Sequence, residues 1–171
     1  VPVNVPSSYR LRLRINRNGD SRLFFMLGLI LDGRQVGLSM DSKTLRLAWL
    51  DGDGTSAGSL GEVSHNGALF QGDQISEIQV VVQPGRVVVS ADSRTLLDVS
   101  QETQRLQFHP AWHVPDRDAL VLGALKGSYT IHEFTLEPLQ GDLPSQPELD
   151  AARIAQPSTT YTGHEDRVFA L

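Results

Sequence analysis

The chain has no cysteine, few aromatic residues and no long apolar run. Without cysteine, it can form neither a disulfide framework nor a thiolate metal site. Its longest apolar run, Leu23 to Leu31, has the length of a strand and is much shorter than the roughly 20 residues of a membrane helix. Aromatic residues make up only 6% of the chain, so an extended aromatic strip for binding sugars is not expected.

Basic residues are also in the minority, and the formal net charge is −5. Because non-specific nucleic-acid binding depends on a basic surface, we expect no nucleic-acid partner. The 171 residues suffice for one domain with a core of its own. The sequence begins at Val1, and we expect it to be a piece of a longer protein.

Most of the sequence reads as short β-strands separated by turn residues. Ser76 to Val99 is rich in β-branched valine and folds back at Pro84-Gly85, where glycine can adopt the positive φ of a turn. A second turn follows at Asp92 to Arg94. Similar units recur at roughly the 8–12-residue spacing of all-β domains. The pattern predicts an all-β fold, an antiparallel two-sheet jelly-roll sandwich.

The first and last strands carry two further features. Tyr9 to Asn16 alternates apolar residues with a row of arginines at positions 10, 12 and 14. This row is either a patch for an anionic ligand or the solvated face of an outer strand, and the acidic chain favours the second interpretation. In Tyr129 to Leu139 the apolar alternation slips by one residue, which predicts a β-bulge at His132-Glu133.

A change of composition predicts the domain boundaries. Residues 1–140 form the sandwich domain, and residues 141–160, which include Pro144, Pro147 and Pro157, form a linker. Residues 161–171 follow as a separate segment.

Several residues could support chemistry. His109 and His113 have the spacing of zinc ligands on a helix, but Pro110 lies between them and argues against a regular helix. Asp51 and Asp53 resemble the start of a calcium loop that lacks its terminal glutamate. Asp116, Asp118 and Glu133 could supply two carboxylates for glycoside hydrolysis, although nothing in the sequence pairs them, and Asp116 is better explained as a turn cap.

The aromatic residues suggest a ligand site. Trp112 and Tyr129 lie beside polar loop residues and could stack on a sugar, whereas Trp49 shares a face with leucines and is expected in the core. The candidate ligand-binding residues are therefore Trp112, Tyr129, His109, His113 and Asp116. We predict no cofactor and no resident metal, with Asp51 and Asp53 as weak calcium candidates.

Two groups of residues resemble known families. The first resembles a concanavalin- or laminin-G-like sandwich of large bacterial proteins that also carry WD-repeat propellers; its residues are Gly33-Arg34-Gln35-Val36, Trp112-x-Val114-Pro115-Asp116-x-x-Ala119-Leu120-x-Leu122-Gly123 and Leu136-x-Pro138-Leu139. The second, Gly163 to Leu171, resembles the first strand of a WD repeat. These resemblances imply a non-catalytic module that contacts a protein partner or an adjoining propeller. The alternatives are a carbohydrate-binding module, by analogy of fold, and a glycoside hydrolase.

Overall fold

The computed structural model describes residues 5–18, 24–41, 44–50, 57–64, 69–71, 74–106, 108, 114, 116–125, 127–140, 159–162 and 168–170. These residues contain twelve strands and a 3-10 turn at Thr103–Arg105. The strands are β1 (Tyr9–Asn18), β2 (Phe25–Leu31), β3 (Arg34–Met40), β4 (Thr44–Leu50), β5 (Ala57–Ser64), β6 (Ser76–Gln83), β7 (Arg86–Ala91), β8 (Arg94–Val99), β9 (Val121–Ala124), β10 (Ser128–Pro138), β11 (Thr159–Thr162) and β12 (Val168–Ala170).

The strands form two antiparallel sheets. Sheet A has the order β11-β10-β1-β6-β7-β8, and sheet B has the order β12-β9-β2-β3-β4-β5. The prediction of an antiparallel two-sheet jelly-roll is confirmed. None of the described segments forms an apolar helix of the length that a bilayer requires.

The hairpins form where the turn residues predict them. Gly85 has a φ of 69°, in the region that glycine adopts without strain. In both the Asp32-Gly33 and the Asp92-Ser93 turn, the two central residues have positive φ, which matches the twist of the flanking strands. Asp32 also accepts a hydrogen bond from the Gly85 backbone N–H at 3.1 Å, which ties a hairpin of sheet B to a hairpin of sheet A.

The core lies between the inner faces of the sheets. Sheet A contributes Leu11, Leu13 and Ile15 from β1, and sheet B contributes Leu27 and Leu29 from β2, each 2% exposed or less. The Tyr9 side chain crosses from one sheet to the other. Its hydroxyl donates to the Ile30 carbonyl at 3.1 Å and accepts from the Ile30 N–H at 2.9 Å.

The bulge in the last strand is confirmed. Arg14 pairs with Glu133 and Ile15 pairs with Ile131, so His132 is the extra residue in β10. The bulge restores the inward phase, because Ile131 is buried and Phe134 packs against the same core.

The outer face of sheet B carries a second apolar layer. Phe108 and Val114 pack with Met26 and Val121 in a small buried cluster, hereafter the Phe108 cluster, with Phe24 at its margin. Gly28 and Gly37 are cross-strand neighbours below the Phe108 ring. Their missing side chains therefore make room for this ring.

Gly28→Ala is expected to lower the free energy of unfolding by about 1–3 kcal/mol, a typical cost of overpacking. A Cβ at Gly28 would lie 2.7 Å from the Val121 Cβ, which cannot move without the backbone of β9. Gly37→Ala is the matched control, because its Cβ would come no closer than 3.3 Å to any neighbour, and that neighbour is the Phe108 ring rather than a Cβ. Urea denaturation of both variants checks this, and equal costs would contradict it.

The motif Gly33-Arg34-Gln35-Val36 attaches neighbouring segments to the start of β3. Arg34 donates from Nη1 to the Gln104 carbonyl at 2.6 Å, and Gln35 donates from Nε2 to the Ala119 carbonyl at 2.8 Å. Val36 is fully buried. These contacts give the motif a structural role.

Two placements differ from the sequence interpretation or go beyond it. The interpretation of β1 as an outer strand is wrong, because β1 lies inside sheet A between β10 and β6. At the C-terminal end of the chain, β11 pairs with β10, and β12 pairs with Gly123, Leu122 and Val121 of β9. The domain boundary at residue 140 and the linker stay predictions.

Candidate functional site

The outer face of sheet A is polar where it is formed by β1 and β10. Leu11, Leu13 and Ile15 of β1 point into the core, so the alternate residues of this strand point outward. The outer face of sheet B, by contrast, is occupied over β9, β2 and β3 by the Phe108 cluster. We call the outward residues of β1 and β10 the polar face: Arg10, Arg12, Arg14, Asn16, Asn18, Ser128, Thr130, His132, Glu133, Thr135 and Glu137.

One half of the polar face is an amide–hydroxyl cluster made of Asn16, Asn18, Ser128, Thr130 and His132. His132 Nε2 lies 2.6 Å from Asn16 Oδ1, and Asn16 Nδ2 donates to Asn18 Oδ1 at 3.0 Å. Asn18 Nδ2 donates to the hydroxyls of Ser128 at 3.2 Å and of Thr130 at 3.1 Å. Each side chain therefore holds its neighbour in a defined orientation.

The register of β1 against β10 assembles this cluster. Asn16 pairs with Thr130 and Asn18 pairs with Ser128, so these side chains share one face. The bulge adds His132 on the same side, next to Asn16. The partners are separated by 110 to 116 positions in the chain and meet only through the sheet.

The other half of the polar face is a row of ion pairs. Arg10 Nη1 lies 3.3 Å from Glu137 Oε2, and Arg12 Nη2 lies 3.8 Å from the same oxygen. Arg14 contacts Glu77 of β6 at 3.4 Å and Glu133 at 3.9 Å. The arginines that suggested a patch for an anionic ligand therefore lie beside carboxylates of both neighbouring strands.

The amide–hydroxyl cluster can bind a ligand that carries many hydroxyl groups. Amides and hydroxyls supply donors and acceptors together, and an imidazole has a second ring nitrogen beyond the one that Asn16 uses. Most of these side chains are half-buried, so a ligand could reach them without unfolding the sheet. Among the described residues, no three His, Cys, Asp or Glu side chains are grouped so that they could hold a metal ion.

Most of the predicted site residues lie outside the described residues. This holds for Trp112, His109 and His113, which fall between Phe108 and Val114 in the sequence, and for the calcium candidates Asp51 and Asp53. Their ligand roles stay predictions. Trp49 is described through its backbone alone, which pairs with Gly58 of β5.

Tyr129 does not suit the predicted role of a sugar platform. Its side chain points inward and is 1% exposed, and its ring packs against Phe25 and Phe70, each with a centroid distance of 5.3 Å. Burial raises the pKa of its hydroxyl to about 12. The ring therefore has no free face for a ligand. The prediction failed because adjacency to polar residues in the sequence does not reveal to which face of the sheet a strand residue points.

The carboxylates considered for hydrolysis are not brought together. Asp116 and Asp118 precede β9 in sheet B, whereas Glu133 lies on the outer face of sheet A. Asp116 Oδ1 accepts a hydrogen bond from the Asp118 N–H at 3.0 Å, so it caps a turn. This arrangement does not support glycoside hydrolysis by Glu133 acting together with Asp116 or Asp118.

Sequence reasoning missed the whole amide–hydroxyl cluster. The available signal was the set of polar residues that alternate with apolar ones at the end of β1 and the start of β10. Using that signal requires knowing that these two strands are neighbours, which the alternation does not show.

No family model and no curated protein sequence matches the chain. Among solved structures, sheep galectin-11 in complex with glycerol is similar at 13% identity and a TM-score of 0.53, over 79% of this chain and 93% of its own. A Caenorhabditis elegans galectin matches at 16% identity and a TM-score of 0.52, over 80% of this chain and 88% of its own. The carbohydrate-binding module CBM66 from Bacillus subtilis matches at 12% identity and a TM-score of 0.51, over 77% of this chain and 75% of its own. The shared feature is the jelly-roll sandwich fold.

Proposed function

We propose that this chain is a non-catalytic, lectin-like carbohydrate-binding module and that its amide–hydroxyl cluster contacts the sugar. The observation that carries the proposal is the cluster itself, in which Asn16, Asn18, Ser128, Thr130 and His132 are oriented by mutual hydrogen bonds. Proteins with the same fold include a carbohydrate-binding module, which supports this class of ligand by analogy.

The physical reason is hydrogen-bond matching. A sugar hydroxyl both donates and accepts, and so do the hydroxyl and amide groups of the cluster. Side chains that are already oriented lose little conformational entropy when a ligand binds, which favours affinity.

The interpretation as a module for a protein partner or a WD-repeat propeller receives no support from these comparisons. A protein interface usually has an apolar patch at its centre. Among the residues whose side-chain exposure the structure describes, Ile75 is the only large hydrophobic residue that is exposed, at 41%. The described surface therefore favours a hydroxyl-rich ligand over a protein.

The test is a glycan array with the full chain, followed by titration of the best ligands. We expect Asn18→Ala and His132→Ala each to weaken binding about tenfold, which corresponds to ~1.4 kcal/mol. Thr95→Ala is the control, because Thr95 is exposed on β8, at the other edge of the same sheet.

Two outcomes would count against the proposal. If the folded wild-type chain, checked by circular dichroism, binds no glycan, the function is wrong. If it binds a glycan and neither variant weakens binding, the function stands and the assignment of the site to the amide–hydroxyl cluster is wrong.

A further inference from the structure

We infer that the polar face selects uncharged glycans over acidic ones and that Glu77 is a determinant of this selectivity. This inference rests on the proposed function and adds the chemical class of the ligand. It reverses what a row of three arginines in β1 suggests when only the sequence is considered.

The first observation is the pairing of each arginine on the polar face. Arg10 and Arg12 share Glu137, and Arg14 lies between Glu77 on one neighbouring strand and Glu133 on the other. The pairing follows from the register, because Arg14 is opposite both Glu77 and Glu133, and Arg10 is opposite Glu137. The carboxylates are therefore fixed beside the guanidinium groups by the backbone.

The same arrangement recurs farther along sheet A. Arg86 of β7 holds Asp98 of β8 through two hydrogen bonds, of 2.9 and 2.7 Å. The hydrogen bond from Arg86 lowers the pKa of Asp98, so this carboxylate stays charged near neutral pH. An arginine with an adjacent acid is thus a repeated feature of this sheet.

These pairs make the polar face unfavourable for an anion. A carboxylate or sulfate on a sugar would have to approach Arg14 with Glu77 and Glu133 beside it, and like charges at close range repel. A neutral sugar avoids this repulsion. It can bind the adjacent amide–hydroxyl cluster through hydrogen bonds alone.

Glu77 is the carboxylate best placed to control this selectivity. Its side chain is 52% exposed, whereas that of Glu133 is 7% exposed, so a ligand meets Glu77 first. Glu77→Gln removes one negative charge next to Arg14 and keeps the size of the side chain. Arg14 would then be able to contact an anionic group on a ligand.

The test uses the full chain and matched glycans that differ only by a sulfate or a carboxylate. We expect the wild-type chain to bind the neutral form at least about tenfold more tightly than the acidic form. We expect Glu77→Gln to strengthen binding of the acidic form about fivefold at low salt. Asp98→Asn removes the same charge from the same sheet, far from the amide–hydroxyl cluster, and should leave the ratio unchanged. In 0.5 M salt the gain of Glu77→Gln should disappear.

The outcomes separate this inference from the proposed function. Equal or tighter binding of acidic glycans by the wild-type chain would overturn the inference and leave the function intact. Selectivity for neutral glycans that Glu77→Gln does not change would remove Glu77 as a determinant. Absence of binding to glycans of both kinds would overturn the proposed function and this inference with it.

Discussion

Phe108→Ala is expected to lower the free energy of unfolding by about 3–5 kcal/mol, the usual range for removing a buried phenylalanine ring. The ring is 5% exposed and packs with Met26, Val114 and Val121. It also lies over Gly28 and Gly37, which have no side chains to fill the space that it would leave. The cavity would therefore collapse only partly, and the loss should be near the upper end of the range.

Urea denaturation followed by tryptophan fluorescence measures this loss. Ile75→Ala is the control, because Ile75 is 41% exposed and its truncation should cost less than about 1 kcal/mol. Glycan binding by Phe108→Ala below its unfolding transition should be retained, since the polar face lies on the other sheet. A cost for Phe108→Ala as small as that for Ile75→Ala would show that the Phe108 cluster does not stabilise sheet B.

Tyr9→Phe is expected to lower the free energy of unfolding by about 2–4 kcal/mol, because two backbone groups lose a partner at once. The hydroxyl of the fully buried Tyr9 bonds both the N–H and the carbonyl of Ile30. β9 pairs with β2 only from Phe25 to Gly28, so this neighbouring strand does not reach Ile30. The Tyr9 hydroxyl therefore bonds to β2 at a position that β9 does not cover.

Hydrogen exchange at single amides tests this role. In Tyr9→Phe, the Ile30 amide should exchange much faster, whereas the Leu27 amide, which lies between β3 and β9, should change only with global stability. A Tyr9→Phe variant with unchanged Ile30 exchange would contradict the assigned hydrogen bonds.

The change of folding stability at alkaline pH gives a second test of the burial of Tyr9. Burial raises the pKa of Tyr9 above its ordinary value of 10.0, so the folded chain holds this proton where the unfolded chain releases it. Stability should therefore fall as the pH rises above about 10. Tyr129, whose pKa is also raised by burial, adds to this fall. In Tyr9→Phe, the decline should be shallower.

Local patterns were sufficient to predict many of the strands, although not β11, which begins inside the predicted linker. The valines of β6 and β7, the turn residues Pro84-Gly85 and the alternation in β1 all act over a few residues, and each appears in the structure as expected. Even the bulge at His132 was predictable, because a phase slip of apolar residues is visible within one strand.

Local patterns did not predict which strands, far apart in the sequence, lie side by side in a sheet. The arginines of β1 suggested an outer strand, yet β1 is interior and their acidic partners come from β6 and β10. The alternation of Tyr129 with polar residues left its direction open, and the structure places it beside Phe25 and Phe70. The amide–hydroxyl cluster depends on the same missing information, since Asn16 meets His132 across the sheet.

The single extra residue in β10 is a place where the length of this strand can change in evolution. Upstream of His132, Tyr129 and Ile131 are buried, and downstream Phe134 packs against the same core. Loss of His132 would leave both halves of β10 in phase with β1, because Ile131 and Glu133 already pair with the consecutive residues Ile15 and Arg14. Such a loss would remove the contact between His132 and Asn16 without turning any buried side chain outward. Homologous domains should therefore include some that lack the residue at position 132 and, with it, this part of the amide–hydroxyl cluster.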